Sequence, residues 1–146
     1  MKYTLAFALL AIISIGIASC SNESTYNNMS EVPQTVQTVV SENFPAEVLS
    51  TVVETNSFGN DEYEIILQDG TKVKFEGEVW DEVKVPAGQS VPSYFVLEPI
   101  QTYVTANMPG QTIVKIDRED NGGYEIGLSN GVEVKFDASG NFIKID

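Results

Sequence analysis

The chain has 146 residues with 21 Asp+Glu against 8 Lys+Arg, a formal charge of −13, one cysteine and no histidine. Without histidine it lacks the commonest general base and metal ligand, and Ser-His-Asp hydrolysis is excluded. A single cysteine excludes an internal disulfide and a multi-cysteine zinc site, and the acidic excess disfavours nucleic acid while favouring divalent cations or a basic partner patch.

The N-terminal segment reads as a targeting signal. Lys2 precedes an uncharged apolar run from Thr4 to Ser19, too short to span a bilayer comfortably and typical of a signal peptide over residues 1–19. Ile17-Ala18-Ser19-Cys20 resembles the lipobox of bacterial lipoproteins. That resemblance implies a lipidated Cys20 that anchors the protein to a membrane through several acyl chains. With Ser21 rather than Asp after the cysteine, it also implies sorting to the outer membrane, facing either periplasm or exterior. The competing reading is an ordinary secretory signal with an unrelated cysteine. Residues 20–31, polar and without apolar periodicity, read as a flexible tether.

Beyond the tether the sequence repeats itself. Val36-Gln-Thr-Val-Val-Ser-Glu-Asn-Phe-Pro45 returns as Ile100-Gln-Thr-Tyr-Val-Thr-Ala-Asn-Met-Pro109. In each copy apolar residues recur at i, i+3, i+4 and i+8, which predicts a helix with one buried stripe. Pro33 and Pro99 suit first turns, and Pro45 and Pro109 stop the helices. Val/Ile/Thr-rich strands follow over residues 46–56 and 111–119. Next come the hairpins Tyr63-Glu-Ile-Ile-Leu-Gln-Asp-Gly-Thr-Lys-Val-Lys-Phe75 and Tyr124-Glu-Ile-Gly-Leu-Ser-Asn-Gly-Val-Glu-Val-Lys-Phe136. Their Asp69-Gly70 and Asn130-Gly131 pairs predict two-residue turns with both φ values positive. Last strands fall near residues 79–85 and 141–145.

The expected architecture is therefore α+β: two tandem α-β-β-β-β units, an antiparallel sheet with the helices packed on one face. The first unit covers residues 32–85, a linker 86–91, and the second unit 92–146. A unit this small buries too little surface to stand alone, so the two are expected to join side by side in one extended sheet. The order helix, Asn-x-Pro, strand, Tyr-Glu-Ile-x-Leu-x-(Asp/Asn)-Gly, Val-Lys-Phe and Trp80-Asp-Glu-Val83 resembles the PepSY-like, beta-lactamase-inhibitor-like family of the bacterial cell envelope. The second unit departs from it at Phe142-Ile-Lys-Ile145. The resemblance implies tandem α-β units with helices on one side of the sheet, and only weakly implies a function.

Candidate sites lie where the copies differ. If Val83 and Val85 face the core, alternation turns Trp80 outward onto the polar sheet face, and Phe142 likewise; a bulge that returns the ring to the core is the alternative for Trp80. Tyr94 and Phe95 have no counterpart in the first copy, and Phe58 sits in its longer turn. These five aromatics are candidate partner contacts, with inter-unit packing the competing reading for Tyr94 and Phe95. Asp117, Glu119 and Asn121, with Gly122, match the opening of a calcium loop. The twelfth position, however, is Leu128 rather than Glu.

No residue set for catalysis emerges. The functional expectation is a non-catalytic, lipid-anchored envelope protein, without a cofactor, that binds a protein or peptide partner through its open sheet face and does not bind nucleic acid. Two alternatives stand beside it: a binder of calcium or another hard cation, and a purely structural envelope lipoprotein.

Overall fold

A computed structural model describes residues 21–146 apart from residue 58, so the signal segment, Cys20 and Phe58 lie outside the described residues. Among the described residues two α-helices, α1 (Gln34–Asn43) and α2 (Glu98–Asn107), accompany nine strands. These are β1 (Ser21–Tyr26), β2 (Leu49–Ser57), β3 (Asn60–Leu67), β4 (Lys72–Glu76), β5 (Val79–Lys84), β6 (Ile113–Arg118), β7 (Tyr124–Leu128), β8 (Glu133–Phe136) and β9 (Phe142–Ile145). They form one antiparallel sheet in the order β1 to β9, each strand pairing with its neighbours in sequence.

Both helices end in the same way. The Phe44 and Met108 N–H groups donate to the Val40 and Val104 carbonyls at 2.9 and 2.8 Å. One residue earlier, the Asn43 and Asn107 side-chain amides donate to Val39 and Tyr103 carbonyls at 2.8 and 2.9 Å. The prolines that follow have no N–H to continue the helix, and the asparagines add donors for the C-terminal carbonyls. Val36 and Val40, and Ile100 and Val104, are the buried positions, as the helical spacing requires.

The core is organised by register. Val52, Ile65, Val73, Val83, Ile116, Ile126 and Val134 lie directly opposite one another from β2 through β8, and all are fully buried. Directly opposed residues project from the same side of a sheet, so this row is one apolar ridge. Tyr26 extends it at β1 and Ile145 at β9. The buried helix residues belong to the same core as this row. Between β5 and β6 the joint is Val83 opposite Ile116, flanked by Glu82–Asp117 and Lys84–Lys115.

Two expectations change. Residues 21–26 pair in full register with β2, Ser21 to Ser57 through Tyr26 to Val52, so the expected tether begins as an edge strand. Its Tyr26 hydroxyl donates to Glu54 Oε2 at 3.1 Å. The hairpin turns are also one residue longer than expected. Leu67 N–H donates to Thr71 O and Gly70 N–H to Leu67 O, with the same bonds at Leu128–Val132 and Gly131–Leu128. This is a three-residue loop that places glycine in the left-handed region, with φ 96° at Gly70 and 86° at Gly131. Asp69 Oδ1 and Asn130 Oδ1 accept the Thr71 and Val132 N–H groups at 2.8 and 3.1 Å, the short side-chain bond that favours these residues in turns. Residues 86–91 are held as well: Val91 is buried and its N–H donates to Ile113 O at 2.8 Å.

Candidate functional site

The face opposite the apolar ridge is charged. Val53, Glu64, Lys74, Glu82, Asp117, Glu125, Lys135 and Lys144 oppose one another from β2 to β9. One step along the strands a second row runs Ile66, Lys72, Lys84, Lys115, Gly127, Glu133. The ion pairs stitch neighbouring strands. Glu82 accepts from Lys74 at 3.3 Å and lies 4.0 Å from Lys115, which also pairs with Asp117. Lys72 meets Glu64 at 2.9 Å, and Lys135 meets Glu119 and Glu125 at 2.7 and 2.8 Å.

Electrostatics follow from this crowding. The Lys135 ammonium donates to the Glu119 carboxylate and then to Glu125, and these bonds hold it well above the ordinary lysine range. Burial raises the Asp117 carboxyl above its usual range, and the nearby Glu82 adds to the shift while Lys115 opposes it. Asp81 is raised by burial and then by the Asp117 charge. A shallow depression of about 240 Å³ beside it is lined by Glu23, Glu62, Glu64, Lys74, Glu76 and Asp81. Such a surface can hold a polar or charged partner by matched charges.

The aromatic candidates lie elsewhere. The register shifts in β5: Phe75 faces Trp80 and Lys74 faces Glu82, so Asp81 is the extra residue of a bulge. The bulge returns Trp80 to the core side, where it is only 8% exposed. The outward orientation expected for Trp80 is thus corrected. Its ring meets Phe95 edge-on at 5.4 Å and Tyr124 at 6.4 Å, and the Arg118 guanidinium lies 4.1 Å above it. A matching shift in β9 sets Phe136 opposite Phe142. Phe142 therefore also leaves the charged face and stacks on Tyr103 of α2 at 4.7 Å, with 42% of its surface exposed.

Phe95 is 1% exposed and stacks on Phe44 at 6.0 Å, so it is a core residue joining α1, β5 and the turn Ser93–Phe95 rather than a partner contact. Tyr94 stays 59% exposed with its ring edge-on to Phe95 at 5.0 Å. The calcium-loop residues do not converge. Asp117 bonds Lys115, Glu119 bonds Lys135, and Asn121 Oδ1 accepts the Gly123 N–H at 2.7 Å. Among the described residues no group of three His, Cys, Asp or Glu is placed to hold a metal ion. Arg118 over Trp80 and the lysine row escaped the sequence reading, because strand alternation alone does not reveal which residues on different strands become neighbours.

Residues 61–144 match the family described as "Putative beta-lactamase-inhibitor-like, PepSY-like". The chain belongs to the PepSY-like family. This PepSY-like protein is also similar to solved structures. One is a "putative periplasmic protein of unknown function" from Bacteroides vulgatus, with 29% identity, TM-score 0.79, and coverage of 86% of this chain and 99% of that one. Another is a "putative calcium-regulated periplasmic protein" from Bacteroides thetaiotaomicron, with 33% identity, TM-score 0.77, and coverage of 85% and 96%. A third, also from Bacteroides vulgatus, has 32% identity, TM-score 0.75, and coverage of 88% and 98%. No curated protein matches the chain.

Proposed function

We propose that this PepSY-like protein is a non-catalytic protein of the cell envelope, tethered by a lipid on Cys20, that binds a protein or peptide partner on its charged sheet face. Its two α-β units sit side by side through β5 and β6, with both helices on the apolar side and the other side left for the partner. The observation that carries this reading is the continuous charged row from Glu64 to Lys144, whose side chains are spread over seven strands and cross-linked by ion pairs. A rigid sheet presenting fixed charges suits recognition of a complementary surface. The inhibitor-like description of the family and the periplasmic names of the relatives support this placement.

A photo-crosslinking residue at Lys84, on the charged face, and another at Thr102, on α2, test it in intact cells. The reading predicts discrete adducts at Lys84 that are lost when Lys74 and Lys115 are reversed to Glu. Equal labelling at both positions would sink it. Fatty-acid labelling tests the anchor: Cys20→Ala should abolish incorporation.

A response to calcium is a second reading, supported by the name of the Bacteroides thetaiotaomicron relative. Here it would require Asp117 and Glu119 to exchange their lysine partners for the cation. Calorimetry with calcium chloride should then show heat and a raised melting temperature; a flat trace removes the idea.

A further inference from the structure

The sheet has two outer strands, and the residues along them differ in kind. β1, Ser-Asn-Glu-Ser-Thr-Tyr, is polar and carries Glu23, the sort of sequence that discourages strand addition. β9, Phe-Ile-Lys-Ile, is apolar: Phe142, Ile143 and Ile145 are 42%, 55% and 50% exposed. Its only charge, Lys144, projects to the opposite face beside Lys135.

An occupied version of this edge exists within the same molecule. Trp80 faces Phe75 as Phe142 faces Phe136, and Val83 faces Val73 as Ile145 faces Val134. β5 and β9 therefore hold matching positions against the strand before them. On β5 the matching surface is covered twice: β6 pairs with its far edge, Ile116 beside Val83, and Phe95 packs on Trp80. Trp80 and Val83 fall to 8% and 0% exposure as a result. On β9 neither cover is present among the described residues. The backbone is also available. Asp146 N–H donates to Glu133 O at 2.9 Å, so alternation turns the N–H and C=O of Ile145 away from β8. Beside β9, a groove of about 560 Å³ along α2 is lined by Pro99, Tyr103, Ala106, Gly140 and Phe142.

We infer that β9 accepts an extended strand from a partner protein. The strand runs antiparallel to β9, with a β-branched residue beside Ile145 and a large apolar side chain in the groove over Phe142. Main-chain bonds give such an addition its affinity, and the side-chain positions give it selectivity. The chemistry required is that of β6 and Phe95, which cover β5. A second copy of this chain fits less well. Its β1 is polar and lacks the Ile and Val residues by which β6 covers β5.

The test uses a fluorescent peptide with the sequence of residues 111–119 carrying Arg118→Phe, at the position that lies over Trp80 in β6, titrated with the purified full chain and followed by anisotropy. Saturable binding is expected, weakened about tenfold or more by Ile145→Lys, which places a guarding charge on the edge, and unchanged by Val48→Lys at another exposed site. Circular dichroism checks that both variants remain folded. Absence of binding at about 1 mM peptide, or equal binding to the Ile145→Lys variant, overturns the inference. A concentration-dependent dimer in sedimentation that Ile145→Lys disperses would also overturn it, since the occupant would then be a second copy.

Discussion

Val83 of β5 lies directly opposite Ile116 of β6, and neither side chain is exposed to solvent. This contact makes one sheet out of two sets of strands that the sequence writes as copies. Because the buried row passes through it without a break, the halves cannot lose their packing independently. Ile116→Ala removes buried methyl groups from the joint and should cost about 2–5 kcal/mol. Urea unfolding followed by Trp80 fluorescence and by far-ultraviolet dichroism should give one coincident transition in the native protein. Two separated transitions would mean that the halves fold alone.

Gly123 tests how closely the β6–β7 turn approaches the sheet. A Cβ there would lie 2.5 Å from the Phe136 carbonyl oxygen, and a backbone atom yields little. Gly123→Ala is expected to lower stability by about 1–3 kcal/mol, measured by thermal melting, whereas Gly59→Ala, which meets no atom within 4 Å, loses only what its positive φ demands.

The Asp69 turn supplies a pH dependence of known sign. Burial works against ionisation of Asp69, but bonds from the Thr71 N–H and hydroxyl and from Gln89 outweigh it and hold the carboxyl below its usual range. Its contribution is complete above the unfolded value of about 3.9 and is lost as pH falls through the lower folded value. Asp69→Asn should stay within about 0.5 kcal/mol of the native protein at neutral pH, since Asn130 does the same work in the other turn, and should lose less stability on acidification. Asp69→Ala should cost about 1 kcal/mol at neutral pH. Melts from pH 2 to 7 separate the three proteins.

Asp81 behaves in the opposite sense. Burial raises its carboxyl, and the Asp117 charge adds to the effect. Between the unfolded value and this higher folded value the native state binds more protons, so stability falls as pH rises through that window. Asp81→Asn should therefore stabilise the protein at neutral pH, by something on the order of 0.5 kcal/mol, and flatten the profile above pH 4. A variant less stable than native at pH 7 would show that Asp81 makes a favourable contact.

Much of the fold could be read from short-range pattern. Helix spacing marked Val36, Val40, Ile100 and Val104 as buried, and they are. Alternation marked the strands of both hairpins, and the Asp-Gly and Asn-Gly pairs marked the turns, although the loops close one residue wider. The candidate site was less legible. Strict alternation carries Trp80 and Phe142 to the polar face, and a bulge is the other reading that the sequence leaves open for Trp80. The structure has a bulge opposite Lys74–Phe75 and another opposite Lys135–Phe136, which selects the second reading for Trp80 and reverses the one for Phe142. The β1 strand was invisible for a related reason: Ser21–Tyr26 has no apolar pattern of its own and becomes a strand by bonding to β2.

The sequence alone determined the element types and the absence of histidine, since each of these depends on neighbours in the chain or on composition. Tertiary structure decided which residues share a face, which aromatics are buried and which edge is left open. Those outcomes depend on register between strands far apart in sequence, where a one-residue shift exchanges the two faces of the sheet.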